Sequence, residues 1–167
     1  MRSRPRRSKD SEPPDSATAR TAALRLLARR DYTSRELRTR LVERGYAPDD
    51  VDTLIERLRS EKWLDDRRVA GAHARTASRI KRRGRHRIKR ELEARGLDAD
   101  AIREAIADLP EGNDRDAIDR FLARKRVSAD PSPDERRRLF QQLLRRGFDT
   151  GEILKALKKR GAEPDES

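Results

Sequence analysis

Between Arg79 and Arg90, eight of twelve residues are arginine or lysine and none is acidic. Guanidinium and ammonium groups at this density do one kind of chemistry. They hold oxyanions, phosphate or carboxylate, by charge and by N–H donation. The run comprises Arg79, Lys81, Arg82, Arg83, Arg85, Arg87, Lys89 and Arg90, with Gly84 and His86 inside it. A charge run is usually a solvated face. This one meets no carboxylate until Glu91, so its self-repulsion goes uncompensated, which favours a phosphate or acidic-protein partner. Arg136, Arg137, Arg138, Arg145 and Arg146 form a second basic set downstream. Reversing Arg82, Arg83 and Arg87 is expected to spare the fold and weaken binding.

Other chemistry is hard to find. The only histidines, His73 and His86, have no partners at metal-ligand spacing, and cysteine is absent, so no metal site is expected. No glycine loop has the pattern that cradles a nucleotide phosphate, and no Ser, His and Asp arrangement stands out. No catalytic residue and no cofactor are expected, and the chain reads as a non-enzyme.

The elements that must position these cations follow from a repeat. Ile88, Leu92, Gly96, Leu97, Ile102 and Ile106 form a skeleton that recurs without gaps. Leu37, Leu41, Gly45, Tyr46, Val51 and Ile55 lie 51 residues earlier, and Leu139, Leu143, Gly147, Phe148, Ile153 and Leu157 lie 51 residues later. Such a period marks a stacked array of small units. Gly45, Gly96 and Gly147 suit the left-handed residue that ends a helix. Leu41, Leu92 and Leu143 would then touch Tyr46, Leu97 and Phe148 across a Schellman turn. The following helix starts almost at once, with Asp98 and Asp149 as N-caps, while Ala47 cannot cap but precedes Pro48. Thr33 and Glu36 have capping-box spacing for the helix before Gly45.

Composition bounds the architecture. With 33% hydrophobic and 4% aromatic residues in 167, the chain can furnish several small cores more readily than one large one. The net charge of +12 implies a partner of negative charge. No apolar run approaches the ~20 residues of a membrane span. The basic start is followed by Asp10-Ser11-Glu12-Pro13-Pro14-Asp15, not by an apolar stretch, so a cytoplasmic protein is expected.

In chain order, residues 1–16 read as a disordered, proline-containing basic tail. Residues 17–63, 64–110 and 111–161 read as three modules of three helices, and 162–167 as a frayed end. The class is all-α: tandem three-helix, helix-turn-helix-like repeats in an extended, curved array. Trp63, Leu64, Asp65 and Asp66 form the first module junction, with Trp63 expected as a packing wedge and the aspartates launching a helix. That helix is expected to turn Val69, Ala70, Ala74, Ala77 and Ile80 inward.

The tandem modules, the junction Leu64-Asp65-Asp66-Arg67-Arg68-Val69-Ala70 and the run Leu144-Arg145-Arg146-Gly147-Phe148 together resemble the RecX family, the bacterial regulators of the recombinase RecA. The junction is similar to that family's L-D-D-x-R-(F/Y/V)-A signature, and the resemblance covers about Ala17 to Arg160. It implies a small, extended, all-helical protein that binds RecA and sits in the groove of the RecA–DNA filament; a monomer is expected because the module array presents no obvious self-complementary apolar face. There it would restrain filament growth, ATP hydrolysis, strand exchange and co-protease activity, in DNA repair, recombination and the SOS response. Free DNA is a further candidate ligand. The filament- or DNA-facing patch is expected at the two basic sets named above. The rival reading is a sequence-specific or general DNA- or RNA-binding helix-turn-helix protein. Against a repressor, the post-turn helices open with aspartates, which phosphates repel.

Overall fold

The computed structural model describes residues 16–128 and 130–160; the expected tails at 1–16 and 162–167 lie outside the described residues except for Ser16, which opens the first helix. Among the described residues there are nine α-helices and no strand. They are α1 (Ser16–Leu27), α2 (Ser34–Val42), α3 (Pro48–Ser60), α4 (Asp66–Arg79), α5 (Arg85–Ala94), α6 (Ala99–Ala107), α7 (Asn113–Arg124), α8 (Pro133–Arg145) and α9 (Thr150–Arg160). The chain divides into two compact units, one up to Asp65 and one from Asp66 onward.

The first unit packs α1, α2 and α3 around Ala23, Leu37, Leu41, Val51 and Leu58, each fully buried. Thr33 opens α2 with a reciprocal capping box: its hydroxyl accepts the Glu36 N–H, and Glu36 accepts the Thr33 N–H. Two of the four N–H groups that a helix start leaves unpaired are thereby met. Glycine at 45 takes φ +90, and the Tyr46 N–H returns to the Leu41 carbonyl at 3.3 Å. That bond pins the turn, and α3 begins three residues later at Pro48.

The second unit holds two apolar clusters. One joins α4, α5 and α6 through Ala74, Ile88, Leu92 and Ala101; the other joins α7, α8 and α9 through Ile118, Leu122, Leu143 and Ile153. The turn geometry repeats, with φ +76 at Gly96 and +83 at Gly147. The Leu97 and Phe148 N–H groups bond back to Leu92 and Leu143, both at 3.3 Å. Asp98 accepts the Ala101 N–H at 2.7 Å, and Asp149 accepts those of Gly151 and Glu152. The caps at Asp98 and Asp149 thus stand two residues after their glycines, and α6 and α9 each begin on the third.

Two expectations about packing need correction. Trp63 is no packing wedge: it stands 55% exposed, while its neighbour Leu64 is 4% exposed and joins the first unit's core. The cause is the end of α3. Lys62 takes a left-handed φ of +61, and the Trp63 and Leu64 N–H groups both bond to the Leu58 carbonyl, which swings Trp63 outward. Ile80 is likewise 75% exposed. The buried stripe of α4 runs through Ala70, Ala74, Ala77 and Ser78, the i, i+4, i+7, i+8 face, and that spacing leaves Ile80 on another side. Ser78 is accommodated inside because Asn113 Nδ2 donates to its hydroxyl at 2.6 Å.

Candidate functional site

The basic run falls on the end of α4, a short turn, and the start of α5. Arg82 takes φ +49 in that turn, and Gly84 is the N-cap of α5. Thr33 holds the same place in the first repeat, 51 residues earlier, and caps α2 with its side chain. Gly84 has no side chain to offer, so the N–H groups at the start of α5 find partners elsewhere. Gly84 N–H donates to the Arg146 carbonyl at 2.9 Å, His86 N–H to the Gly147 carbonyl at 3.1 Å, and Arg85 N–H to Asp114 Oδ2 at 3.3 Å. The α5 start is thus capped by the end of α8 and the first turn of α7. The two backbones touch: a Cβ on Gly84 would lie 2.2 Å from the Gly147 carbonyl oxygen. Burial of Asp114 pushes its carboxyl above the usual range, against the pull of the Arg85 N–H and side chain.

This contact sorts the cations of the run. The Arg85 guanidinium turns to the end of α6, donating to the carbonyls of Ile106 at 2.9 Å, Leu109 at 3.0 Å and Pro110 at 3.2 Å. The Ile106 and Pro110 carbonyls also accept the Leu109 and Asn113 N–H groups, and the guanidinium charge suits the negative pole of the helix end. Arg85 is therefore a structural residue. Glu91 gathers three donors: Arg83 Nη1, Arg87 Nε at 3.0 Å and His73 Nε2 at 3.1 Å. Arg87 also donates to the Arg145 carbonyl at 3.3 Å. Among the described residues, Arg79, Lys81, Arg82 and Arg90 pair with no carboxylate, and Lys89 has only a 3.8 Å approach from Glu93.

The expected neutrality of reversing Arg82, Arg83 and Arg87 is accordingly overturned for two of the three. Acidic side chains at 83 and 87 would crowd Glu91 with like charge and loosen α5. Only Arg82 is free to be changed without breaking an ion pair.

The structure brings together Lys81, Arg83 and Arg87 from the run with Gln142, Arg145 and Arg146 from α8 and its cap, around an open cleft of about 490 Å³. Five cations against Glu91 leave this cleft with a net charge of +4. Arg146 also lines a neighbouring cleft of about 270 Å³ with Arg82, Arg124, Lys125, Phe121 and Phe148. Its guanidinium lies 4.8 Å from the centre of the Phe121 ring, which holds it in place by cation–π attraction. The cationic surface thus spans both clefts and includes Arg124, Lys125 and Gln142, which sequence reasoning missed. The signal for Arg124 and Lys125 was present, since they end α7 in a short basic run of their own. Arg136, Arg137 and Arg138 do not line either cleft. Arg136 is tied to Asp130 at 2.6 Å, and with Arg137 it borders a separate apolar groove.

Glu91 orients two guanidinium groups while leaving several of their N–H donors free for a second oxyanion. Burial raises its carboxyl, but hydrogen bonds from Arg83, Arg87 and His73 outweigh this and hold it below the ordinary value of 4.5. A lowered carboxyl contributes stability above its unfolded-state value, and that contribution is lost as pH falls through the folded one. Glu91→Gln is expected to cost about 1–2 kcal/mol near pH 7. The gap from the parent protein should close as pH drops below 4.5, read by urea denaturation across that range. A gap independent of pH would remove the ion-pair role of Glu91.

Among the described residues no cluster of three His, Cys, Asp or Glu side chains could hold a metal, and no helix is long and apolar enough to cross a membrane. The arrangement is a row of guanidinium groups whose orientation is suited to successive phosphates.

Comparison with known proteins agrees with the repeat. Residues 19–58 match the family model described as RecX, first three-helix domain, and residues 65–106 match that of the RecX second three-helix domain. A regulatory protein RecX from Chromohalobacter salexigens is 39% identical over 142 residues, covering 84% of this chain and 91% of that protein. One from Halorhodospira halophila is 39% identical over 154 residues, covering 90% and 92%. The fold resembles the crystal structure of RecX from Lactobacillus salivarius, with a TM-score of 0.79 at 20% identity over 87% of this chain and 96% of that one. The chain belongs to the RecX family of regulatory proteins.

Proposed function

We propose that this chain regulates the RecA recombinase, chiefly as an inhibitor, by binding in the groove of the RecA–DNA filament in the cytoplasm. It restrains filament growth and with it ATP hydrolysis, strand exchange and co-protease activity. The observation that carries the reading is the pair of cationic clefts sharing Arg146, built from two successive repeats on a family-specific fold. The DNA phosphates near the floor of a filament groove supply the oxyanions that this surface fits. Direct base readout is disfavoured, because the helices after each glycine turn open with Asp49 and Asp50, Asp98 and Asp100, or Asp149.

The test is RecA's single-stranded-DNA-dependent ATP hydrolysis with this protein added below one copy per RecA. Inhibition at such ratios is expected. No inhibition at excess protein overturns the proposal and leaves a general nucleic-acid binder.

A further inference from the structure

The repeat allows the same groove to be compared three times. Between the second and third helices of each repeat, residues 38, 89 and 140 are equivalent, as are 52, 103 and 154. In the first copy, Arg38 and Asp52 close the groove with a two-pronged ion pair, at 2.5 and 2.9 Å. In the second copy, Lys89 and Arg103 line it as cations above Leu97, Ile102 and Ile106. The third copy has Phe140 and Leu154 instead, over Leu157, in a groove of about 430 Å³ between α8 and α9. Both polar positions have become apolar: Leu154 faces water, and Phe140 is half-buried against the edge of the third cluster. Leu154 is 55% exposed, and Leu144, one turn from Phe140 on α8, is 39% exposed. The core does not need an apolar side chain at 154, since the first two copies fold with Asp52 and Arg103 there.

An exposed apolar strip with a polar rim marks a protein-binding surface. The rim here is Arg136, Arg137 and Lys158, and no carboxylate lines the groove. Phosphate is a poor occupant, because Phe140 and Leu154 would strip water from it without donating hydrogen bonds. An aliphatic side chain set on an acidic helix satisfies both floor and rim.

We propose that the α8–α9 groove docks an acidic, amphipathic helix of the protein partner, with aliphatic side chains on Phe140 and Leu154 and carboxylates toward Arg137 and Lys158. This rests on the function proposed above, in which that partner is the recombinase. The two surfaces then divide the work: the clefts around Arg146 take DNA phosphate and the α8–α9 groove takes protein. The geometry is the helix-in-groove mode of recognition.

The experiment uses the full-length protein, RecA–single-stranded-DNA filaments, and the same oligonucleotide alone. Leu154→Glu changes an exposed residue, so unchanged far-UV circular dichroism and melting are expected. Its affinity for filaments should fall at least tenfold, with affinity for the naked oligonucleotide unchanged; Arg137→Glu should fall severalfold in the same direction. Leu154→Glu binding filaments as tightly as the parent overturns the groove assignment and leaves the proposed function standing. Equal losses toward filament and oligonucleotide overturn it in favour of a nucleic-acid contact. A concentration-dependent dimer abolished by Leu154→Glu overturns it in favour of a second copy. A parent protein that fails to bind filaments at all removes both proposals.

Discussion

Gly147→Ala is expected to destabilise the second unit by about 3–4 kcal/mol, whereas Gly45→Ala, its repeat equivalent, costs about 1–2. Both glycines hold a left-handed φ, +83 and +90, so an alanine at either carries the backbone strain of an L residue in that region. The difference lies in what a Cβ meets. At Gly45 there is nothing within 4 Å. At Gly147 it falls 2.3 Å from the Arg87 backbone nitrogen and 2.8 Å from its Cα. Neither is the end of a flexible side chain, so α5 must move away from the α8 turn. That movement breaks the bonds from Gly84 and His86 to the Arg146 and Gly147 carbonyls, and with them the capping of α5. Two bonds of about 1 kcal/mol each, added to the strain, give the expected total. Against a typical domain stability of about 5–15 kcal/mol this is a large share, and a fall in melting temperature of more than about 10 °C follows. Denaturant melts of the full chain check it. Equal losses for Gly147→Ala and Gly45→Ala would show that the close approach carries no energy.

That contact also marks the limit of what sequence alone reveals. The glycine turns, the Thr33 capping box and the Asp98 and Asp149 caps are local, set by residues a few positions apart, and they are legible in the bare sequence. The partnership of Gly84 with Gly147 is not, because it joins residues 63 positions apart through backbone atoms that carry no sequence label. One clue existed. The capping threonine of the first repeat becomes glycine at the equivalent place in the second, a change that sacrifices a cap unless something else satisfies the helix start. The basic run was misjudged for a related reason. Glu91 is visible as the first carboxylate after it, and Arg87 stands four residues before it on α5, but that the same carboxylate also collects His73 from α4 and Arg83 from the turn depends on Arg82 adopting a left-handed backbone. Non-glycine residues rarely do so, and nothing in the sequence flags it. Trp63 was misplaced by the same device at Lys62.

The candidate site yields the second large effect, on binding and not on folding. Lys81→Gln combined with Arg145→Gln removes two cleft cations that pair with no carboxylate among the described residues. The Arg145 carbonyl, which accepts from Arg87, is unaffected by the substitution. Stability should therefore change by no more than about 0.5 kcal/mol, the ordinary range for exposed positions. Binding to single-stranded DNA should weaken roughly tenfold near 0.1 M salt, with a further signature in the salt dependence. Each phosphate contact contributes about 0.7 to the slope of log affinity against log salt on a single strand, so losing two should flatten that slope by about 1.4. Lys89→Gln with Arg103→Gln makes the same change in net charge, from +12 to +10, at the α5–α6 groove. If overall charge alone drives association, the two double variants will lose affinity alike. If the pre-oriented cleft does, the Lys81 and Arg145 pair will lose more and will alone flatten the slope. Equal behaviour would dissolve the site into a diffuse positive surface; unequal behaviour would tie phosphate binding to the place where two repeats share a backbone contact, so that the contact that stabilises the unit also assembles its binding surface.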